Sequence, residues 1–381
     1  MRFPEFRGEW EKFRNDSLFN VVSEKNKGKQ ITSVLSASQT DGMVSRDSLG
    51  IDIKFEEDSI KNYKIVHEGD YVIHLRSFQG GFAFSDRVGV CSPAYTILRP
   101  TQQISYGFLK PFFMSNKFID SLRLVTYGIR DGKSISVEEW LKLNTNLPSV
   151  EEQKKISIFL SLLDDRIATQ IKIIEKLESL IRGLITDVNS GRIAQCKSVY
   201  LRDLLTEQHK KNTNNYEVCS VSVSQGVINQ IDYLGRSFAA KEVLHYNVVN
   251  CGDIVYTKSP TGEFPYGIVK RSDITKPVAV SPLYGVYRPI NDYVGKYLHL
   301  YFKSPINAKN YLHKLIQKGA KNTINITNQH FLDNKILIPE KGWLENIVNF
   351  AAAIEMKIAT ENKVLQTLQQ QKDYLLSKMF I

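Results

Sequence analysis

Five short elements of this chain occur twice, in the same order. The stretch from Leu35 to Val44 returns from Cys219 to Ile228. Gly69-Asp70-Tyr71-Val72 returns as Gly252-Asp253-Ile254-Val255, and Ser92-Pro93-Ala94-Tyr95 as Ser281-Pro282-Leu283-Tyr284. Each copy closes on Arg-Pro, at Arg99-Pro100 and Arg288-Pro289, and Leu147-Pro148 returns as Ile338-Pro339 ahead of a long amphipathic stretch. The offset stays between 183 and 191 residues. Such a period lies far above the roughly 20–50 residues of a stacked solenoid, so the copies are domains rather than layers of an array. A chain of 381 residues has room for two such domains with full cores. The repeat divides it into a first domain at 1–148, a helical spacer at 149–190, a second domain at 191–341 and a second spacer at 342–381.

The spacers carry the clearest periodicity. Ile156, Leu160, Leu163, Ile167, Ile174, Leu177, Ile181, Leu184 and Val188 alternate by four and three, broken at Gln170. That is a coiled-coil seam. The second spacer gives Ile347, Ala351, Ile354, Ile358, Leu365, Leu368, Leu375 and Met379, with Glu361 and Lys372 as polar exceptions. Pro148, Ser149 and Glu152 read as a helix start with a capping box. Gln170 and Glu361 are equivalent in the repeat, and each lies near the middle of its helix. In an antiparallel pair related by a pseudo-two-fold axis, only the midpoints bring equivalent residues face to face. The expectation is that Gln170 and Glu361 meet and set the register.

Charge is unevenly spread. Residues 1–148 carry 20 Lys/Arg against 18 Asp/Glu, whereas residues 191–341 carry 20 against 11, nearly all of the net +10. A basic surplus favours a polyanionic partner, because each neutralised phosphate releases a counterion. Helical stretches are expected around 106–123 and 293–317; the second copy concentrates its charge at Lys309, His313, Lys314, Lys318 and Lys321, where the spacing puts Lys309, Lys314 and Lys318 on overlapping faces of a helix, with Lys321 in the loop beyond. Cys91, Cys196, Cys219 and Cys251 form no C-x-x-C pair and read as free thiols of a reducing compartment. No apolar run suits a membrane span or signal peptide, so a cytoplasmic protein is expected.

Several segments resemble catalytic motifs and fail on spacing. Gly128-Ile129-Arg130-Asp131-Gly132-Lys133-Ser134 has three residues between its glycines where a phosphate-binding loop needs four. The Ser-Pro-x-Tyr elements lack the second proline of the base-flipping amino-methyltransferase signature, and they read as strand-edge turns. Glu152-Gln153-Lys154 matches a nuclease-like Glu-x-Lys but falls in the first turn of the spacer helix. The histidines show no metal spacing. The chain reads as non-catalytic, with no metal site and no cofactor of its own.

Leu147-Pro148-Ser149-Val150-Glu151-Glu152-Gln153-Lys154-Lys155-Ile156, followed by Phe159-Leu160, Leu163-Asp164 and Ile167, resembles the first conserved region of the specificity subunit (HsdS) of type I restriction-modification enzymes. The resemblance covers the whole plan of domain, helix, domain, helix. The second helix departs from it, reading Pro339-Glu340-Lys341-Gly342-Trp343-Leu344 without Glu-Gln. The family implies an α+β fold: two tandem mixed target-recognition domains, each followed by a long helix, the helices pairing as an antiparallel coiled coil. It implies that each domain reads one half of a bipartite double-stranded DNA target while the helices set the gap. It also implies two modification (methyltransferase) subunits and translocating restriction subunits as partners, with S-adenosylmethionine, ATP and Mg2+ held by them. The candidate DNA contacts are loop residues with basic, amide or hydroxyl side chains. They are Arg76, Ser77, Gln79, Arg130, Lys133 and Ser134 in the first copy, and Lys258, Ser259, Lys318, Lys321, Asn322 and Thr323 in the second. The competing reading is a coiled-coil scaffold that binds nucleic acid without sequence preference.

Overall fold

The structure is a computed structural model that describes residues 2–28, 30–38, 40–46, 57–128, 133–235, 242–318 and 324–380. It divides into two units: Met1–Ile171 with Lys363–Ile381, and Lys172–Asn362.

In the first unit an antiparallel sheet runs in the order Phe19–Val22, Thr96–Pro100, Tyr71–Ile73, Ala83–Phe84. A hairpin of Leu35–Ser38 with Gly42–Ser45 and a pair of Lys64–Val66 with Gly89–Cys91 enclose a small apolar core with it. Another hairpin joins Thr126–Tyr127 to Ser134–Ile135, and Glu11–Arg14 pairs with Asn144–Leu147 just before the long helix. The second unit repeats every pairing. Its sheet runs Leu205–Glu207, Gly285–Pro289, Ile254–Thr257, Ile268–Arg271. Cys219–Ser222 pairs with Gly226–Asn229, Asn247–Val249 with Val278–Val280, Gln317–Lys318 with Ile324–Asn325, and Cys196–Tyr200 with Lys335–Pro339. Even the isolated parallel bridges coincide, Val34 to Val90 and Val218 to Ala279.

The repeated sequence elements are the joints of this frame. Asp70 and Asp253 are buried. Each carboxylate closes its Gly-Asp turn by accepting a backbone N–H, from His67 at 2.9 Å and from Asn250 at 2.8 Å. Each also holds the arginine of the distant Arg-Pro element. Arg99 donates to both oxygens of Asp70 at 2.9 and 3.0 Å, and Arg288 donates to Asp253 at 3.2 Å. Gly69 and Gly252 sit at φ of 92° and 90°, a backbone that L side chains rarely adopt. Their N–H groups bond to Ser85 and Ser272, both at 2.8 Å. The Ser-Pro elements are turns, as their spacing suggests. Tyr95 N–H bonds back to the Ser92 carbonyl at 3.1 Å and Tyr284 N–H to that of Ser281 at 3.0 Å.

The long helices span Val150–Asn189 and Lys341–Met379. In the first unit Ile156 and Leu160 share an aromatic core with Met379 and Phe380, together with Phe82, Phe113 and Trp140. In the second unit Ile181, Ile185 and Val188 share a core with Leu344, Ile347, Ala351 and Ile354. The start of one helix therefore packs with the end of the other within each unit, which is antiparallel pairing. Most seam residues named from the sequence are buried or half-buried, and so is the polar position Gln170.

Two local expectations are corrected. The capping box at Ser149 is half formed. Ser149 Oγ accepts Glu152 N–H at 3.3 Å, but the Glu152 carboxylate turns away to Arg2, which donates to it at 2.7 and 2.6 Å. The helical stretch around 293–317 is present as two helices, Asp292–Lys303 and Pro305–His313, but the helix expected to carry Lys309, Lys314 and Lys318 together ends at His313. Pro305 has no N–H with which to continue the first, and Ser304 caps the second by accepting Asn307 N–H at 3.4 Å. Lys318 lies beyond both, in a strand.

Candidate nucleic-acid interface

In the first unit the chain leaves the central strand Tyr71–Ile73 through a tight turn into the short helix Ser77–Gly80. Arg76 and Gln79 are exposed on it. Ser77 is fully buried, its hydroxyl accepting the N–H of His74 at 2.8 Å. The structure thus removes Ser77 from the contact surface and makes it a brace of the turn. Its small side chain next to Arg76 looked exposed in sequence because the reversal that buries it is a tertiary feature. The strand Ser134–Ile135 packs against the same helix, with Lys133 and Ser134 exposed. Arg76, Gln79, Lys133 and Ser134, up to 58 residues apart in the chain, therefore gather around one short helix. Neither Arg76 nor Lys133 has an ion-pair partner among the described residues. Arg130 lies outside the described residues.

The second unit builds its counterpart from a different loop. Lys258 and Ser259 are exposed directly after the central strand Ile254–Thr257, and Ser259 N–H reaches back to Thr257 Oγ1 at 3.3 Å. Partial burial pulls the Lys258 ammonium below its ordinary pKa, with the Glu207 charge opposing. Glu207 in turn accepts Asn328 Nδ2 at 2.9 Å, close after the strand Ile324–Asn325. Glu207 thus carries an electrostatic link to Lys258 and a hydrogen bond to Asn328. Lys318 lies in the hairpin's other strand. Lys321, Asn322 and Thr323 lie outside the described residues.

These side chains suit DNA edges: arginine and lysine for the paired acceptors of guanine, glutamine for the donor and acceptor of adenine, and hydroxyls for either. No group of three or more His, Cys, Asp or Glu that could hold a metal occurs among the described residues. Glu152 of the nuclease-like triplet is buried on Arg2. Cys91 and Cys219 are buried, and burial pushes their thiols up to about 12 and about 11, away from nucleophilic thiolate.

The helices expose apolar residues at matching places. Phe159 and Phe350 occupy one repeat position and are 39% and 56% exposed, while Ile173 and Val364 occupy another at 38% and 37%. Sequence reading followed the buried seam and missed these. The same 4–3 pattern that marked the inner face leaves an outer apolar position to be found by comparing the copies.

Residues 7–179 match the family model of the type I restriction modification DNA specificity domain. Over its whole length the chain resembles the S subunit of a type I restriction-modification system from M. genitalium. The TM-score is 0.57 at 12% identity, covering 100% of this chain and 99% of that one. It also resembles a chain from a structure described as the structural basis of complex assembly and conformational transition of the type I R-M system. There the TM-score is 0.56 at 13% identity, covering 99% and 98%. At such identities the likeness is one of fold. No curated protein matches the chain in sequence.

Proposed function

We propose, on the premise that residues 7–179 belong to the type I restriction modification DNA specificity domain family, that this chain is the DNA sequence-specificity subunit of a type I restriction-modification system. Each globular copy reads one half of a bipartite target, and the paired helices set the gap. One observation carries this reading. The same frame is built twice from the same Gly-Asp, Ser-Pro and Arg-Pro joints, yet the loops it holds out differ in sequence and conformation. A pseudo-dimer on one chain can read two unlike half-sites, and spacing then follows from the geometry of the frame, as it does for dimeric DNA-binding proteins.

Arg76, Gln79, Arg130, Lys133 and Ser134 serve the first half-site in this reading, and Lys258, Ser259, Lys318, Lys321, Asn322 and Thr323 the second. Gln170 and Glu361 fix the helix register. Two modification subunits dock on the helices, for which the recurrence of Phe159 as Phe350 and of Ile173 as Val364 gives support: a partner that binds twice in one manner needs the same apolar foothold twice. Restriction subunits join that assembly. S-adenosylmethionine, ATP and Mg2+ belong to these partners, and the chain contributes recognition in the cytoplasm. The test is to co-express the chain with its modification subunit and map methylated adenines on the host DNA. A gapped two-part motif is the expected result; a continuous motif, or none, rejects the reading.

A further inference from the structure

A polar cavity of about 670 Å3 opens in the second unit where the helix Pro305–His313 meets the strand pair Cys196–Tyr200 and Lys335–Pro339. Lys314 and Lys335 line it, and neither is paired with a carboxylate among the described residues. Its one carboxylate, Asp333, is neutralised from outside by Arg202 at 3.1 Å and faces His330 at 3.4 Å. Tyr200 has Arg202 over its ring at 4.1 Å and Lys335 at 4.8 Å, which holds the Lys335 stem at the rim. Of the remaining polar lining, the Asn310 amide and the hydroxyls of Ser198 and Tyr301 can donate, while Asn307 Nδ2 is taken up by the Tyr301 carbonyl at 3.2 Å and Asn189 Oδ1 accepts the Tyr297 hydroxyl at 3.4 Å. The Asn334 amide group is likewise taken up by the Tyr311 carbonyl at 2.9 Å. Two unneutralised cations surrounded by donors ask for an anion with several acceptor oxygens. The volume lies within the range of roughly 300–1,000 Å3 typical of ligand pockets, so it leaves space for more than the anion itself. In the first copy the strand position of Lys335 is held by Asn144, which carries no charge.

We infer that this cavity binds a phosphate group, with Lys314 and Lys335 as its charge partners and Asn310 as a donor. The inference rests on the DNA-binding reading for one of its two sources, a phosphodiester of the DNA backbone; the other is a free nucleotide or inorganic phosphate. Lys335 sits at the foot of the second spacer helix, so a backbone phosphate held here would anchor the duplex outside the reading loops.

The test uses the full chain and the double variant Lys314→Gln/Lys335→Gln. Both side chains are exposed, so thermal melting should be unchanged. Duplex binding is measured across a salt series, and inorganic phosphate and deoxyadenosine monophosphate are titrated by calorimetry. For a backbone site the variant binds duplexes of any sequence roughly tenfold more weakly, and its log–log salt slope is shallower by about 1. For a free-ligand site the duplex data are unchanged, while heat with phosphate or deoxyadenosine monophosphate appears for the wild type and vanishes for the variant. Identical behaviour of the two proteins with all three probes overturns the inference. The mapped adenine motif separates this failure from that of the function: it should be the same in the variant, whereas a wild type with no motif would fault the reading of the protein as a specificity subunit.

Discussion

The two long helices begin at equivalent places and begin differently. In the first unit Glu152 and Gln153, in the first turn after Pro148, are polar and buried. Gln153 accepts Ser105 N–H at 2.8 Å and donates to the carbonyls of Gln103 and Pro148 at 2.9 and 3.0 Å, while Glu152 is held by Arg2. In the second unit the same repeat positions are Trp343, which is 49% exposed, and Leu344, which is buried in the apolar core. At these two positions one helix start is tied to its domain by directed bonds and the other by apolar area. A second contrast runs the other way. Ala83 and Lys270 pair with Val72 and Val255 at one register position of the two sheets. The first unit fills that position with a methyl group and the second with a buried lysine. The topology therefore survives an exchange of polar for apolar contact at buried positions. What the polar version adds is direction, since a misplaced glutamine strands three backbone groups and a misplaced leucine strands none.

The largest expected effect comes from erasing that contrast. Gln153→Leu leaves one buried N–H and two carbonyls without partners, a loss of about 3 kcal/mol or more. That amounts to roughly 6–12 °C in the melting of a unit of this size. Leu344→Gln buries an amide in an apolar core and should cost a similar amount. Melting curves that leave Gln153→Leu unchanged would show that the directed bonds are dispensable.

Lys270 comes next. Burial, with the nearby Lys303 charge, pushes its ammonium down to about 8 from 10.5. The charged form is disfavoured in the fold, so below pH 8 both states are protonated and the fold bears the full penalty, about 3 kcal/mol. Between pH 8 and 10.5 the folded state sheds the proton while the unfolded state keeps it, and stability from this group rises with pH. Lys270→Met should raise the melting temperature at pH 7 and abolish that rise, and Ala83→Lys should install both features in the first unit. Denaturant titrations of these proteins at pH 7 and pH 10 decide it. Equal gains at both values would locate the effect in packing rather than charge.

Smaller still is the difference between the two sets of reading loops. Arg76→Ala should weaken discrimination at one base of one half-site by about 1–3 kcal/mol if it bonds a base edge, and Lys258→Ala should do so at the other half. Methylation mapping reads both. A variant that alters both halves at once would break the assignment of one copy to one half-site.

How far these contrasts were legible in the sequence follows from the range of the forces behind them. The joints were visible as repeated motifs, since Asp70 and Arg99 must recur together to keep one ion pair. The helices were visible because their period is local. The partners of Gln153 lie about 50 residues upstream, and only the fold shows that Ser77 turns inward. Nothing local marks Lys335, because the cavity it lines is assembled from segments between 189 and 337. Lys133 and Arg76 were picked for their chemistry, but only tertiary packing brings them to one helix.

The smallest predicted effect concerns Gln170 and Glu361, the polar position that both helices share. Gln170 is 8% exposed, and the Glu361 side chain is 12% exposed with Lys357 beside it at 2.5 Å. A polar residue at a seam position lowers stability and raises the fidelity of register, so each single leucine variant should shift stability by under about 1 kcal/mol. If the two residues face each other, Gln170→Leu and Glu361→Leu will not be additive. A double-mutant cycle should return a coupling of about 0.5–1 kcal/mol, against roughly zero for positions with no shared partner. The double variant should also relax the gap, so that methylated sites appear at spacings one base longer or shorter. Additive energies together with an unchanged gap would place the ruler elsewhere on the helices.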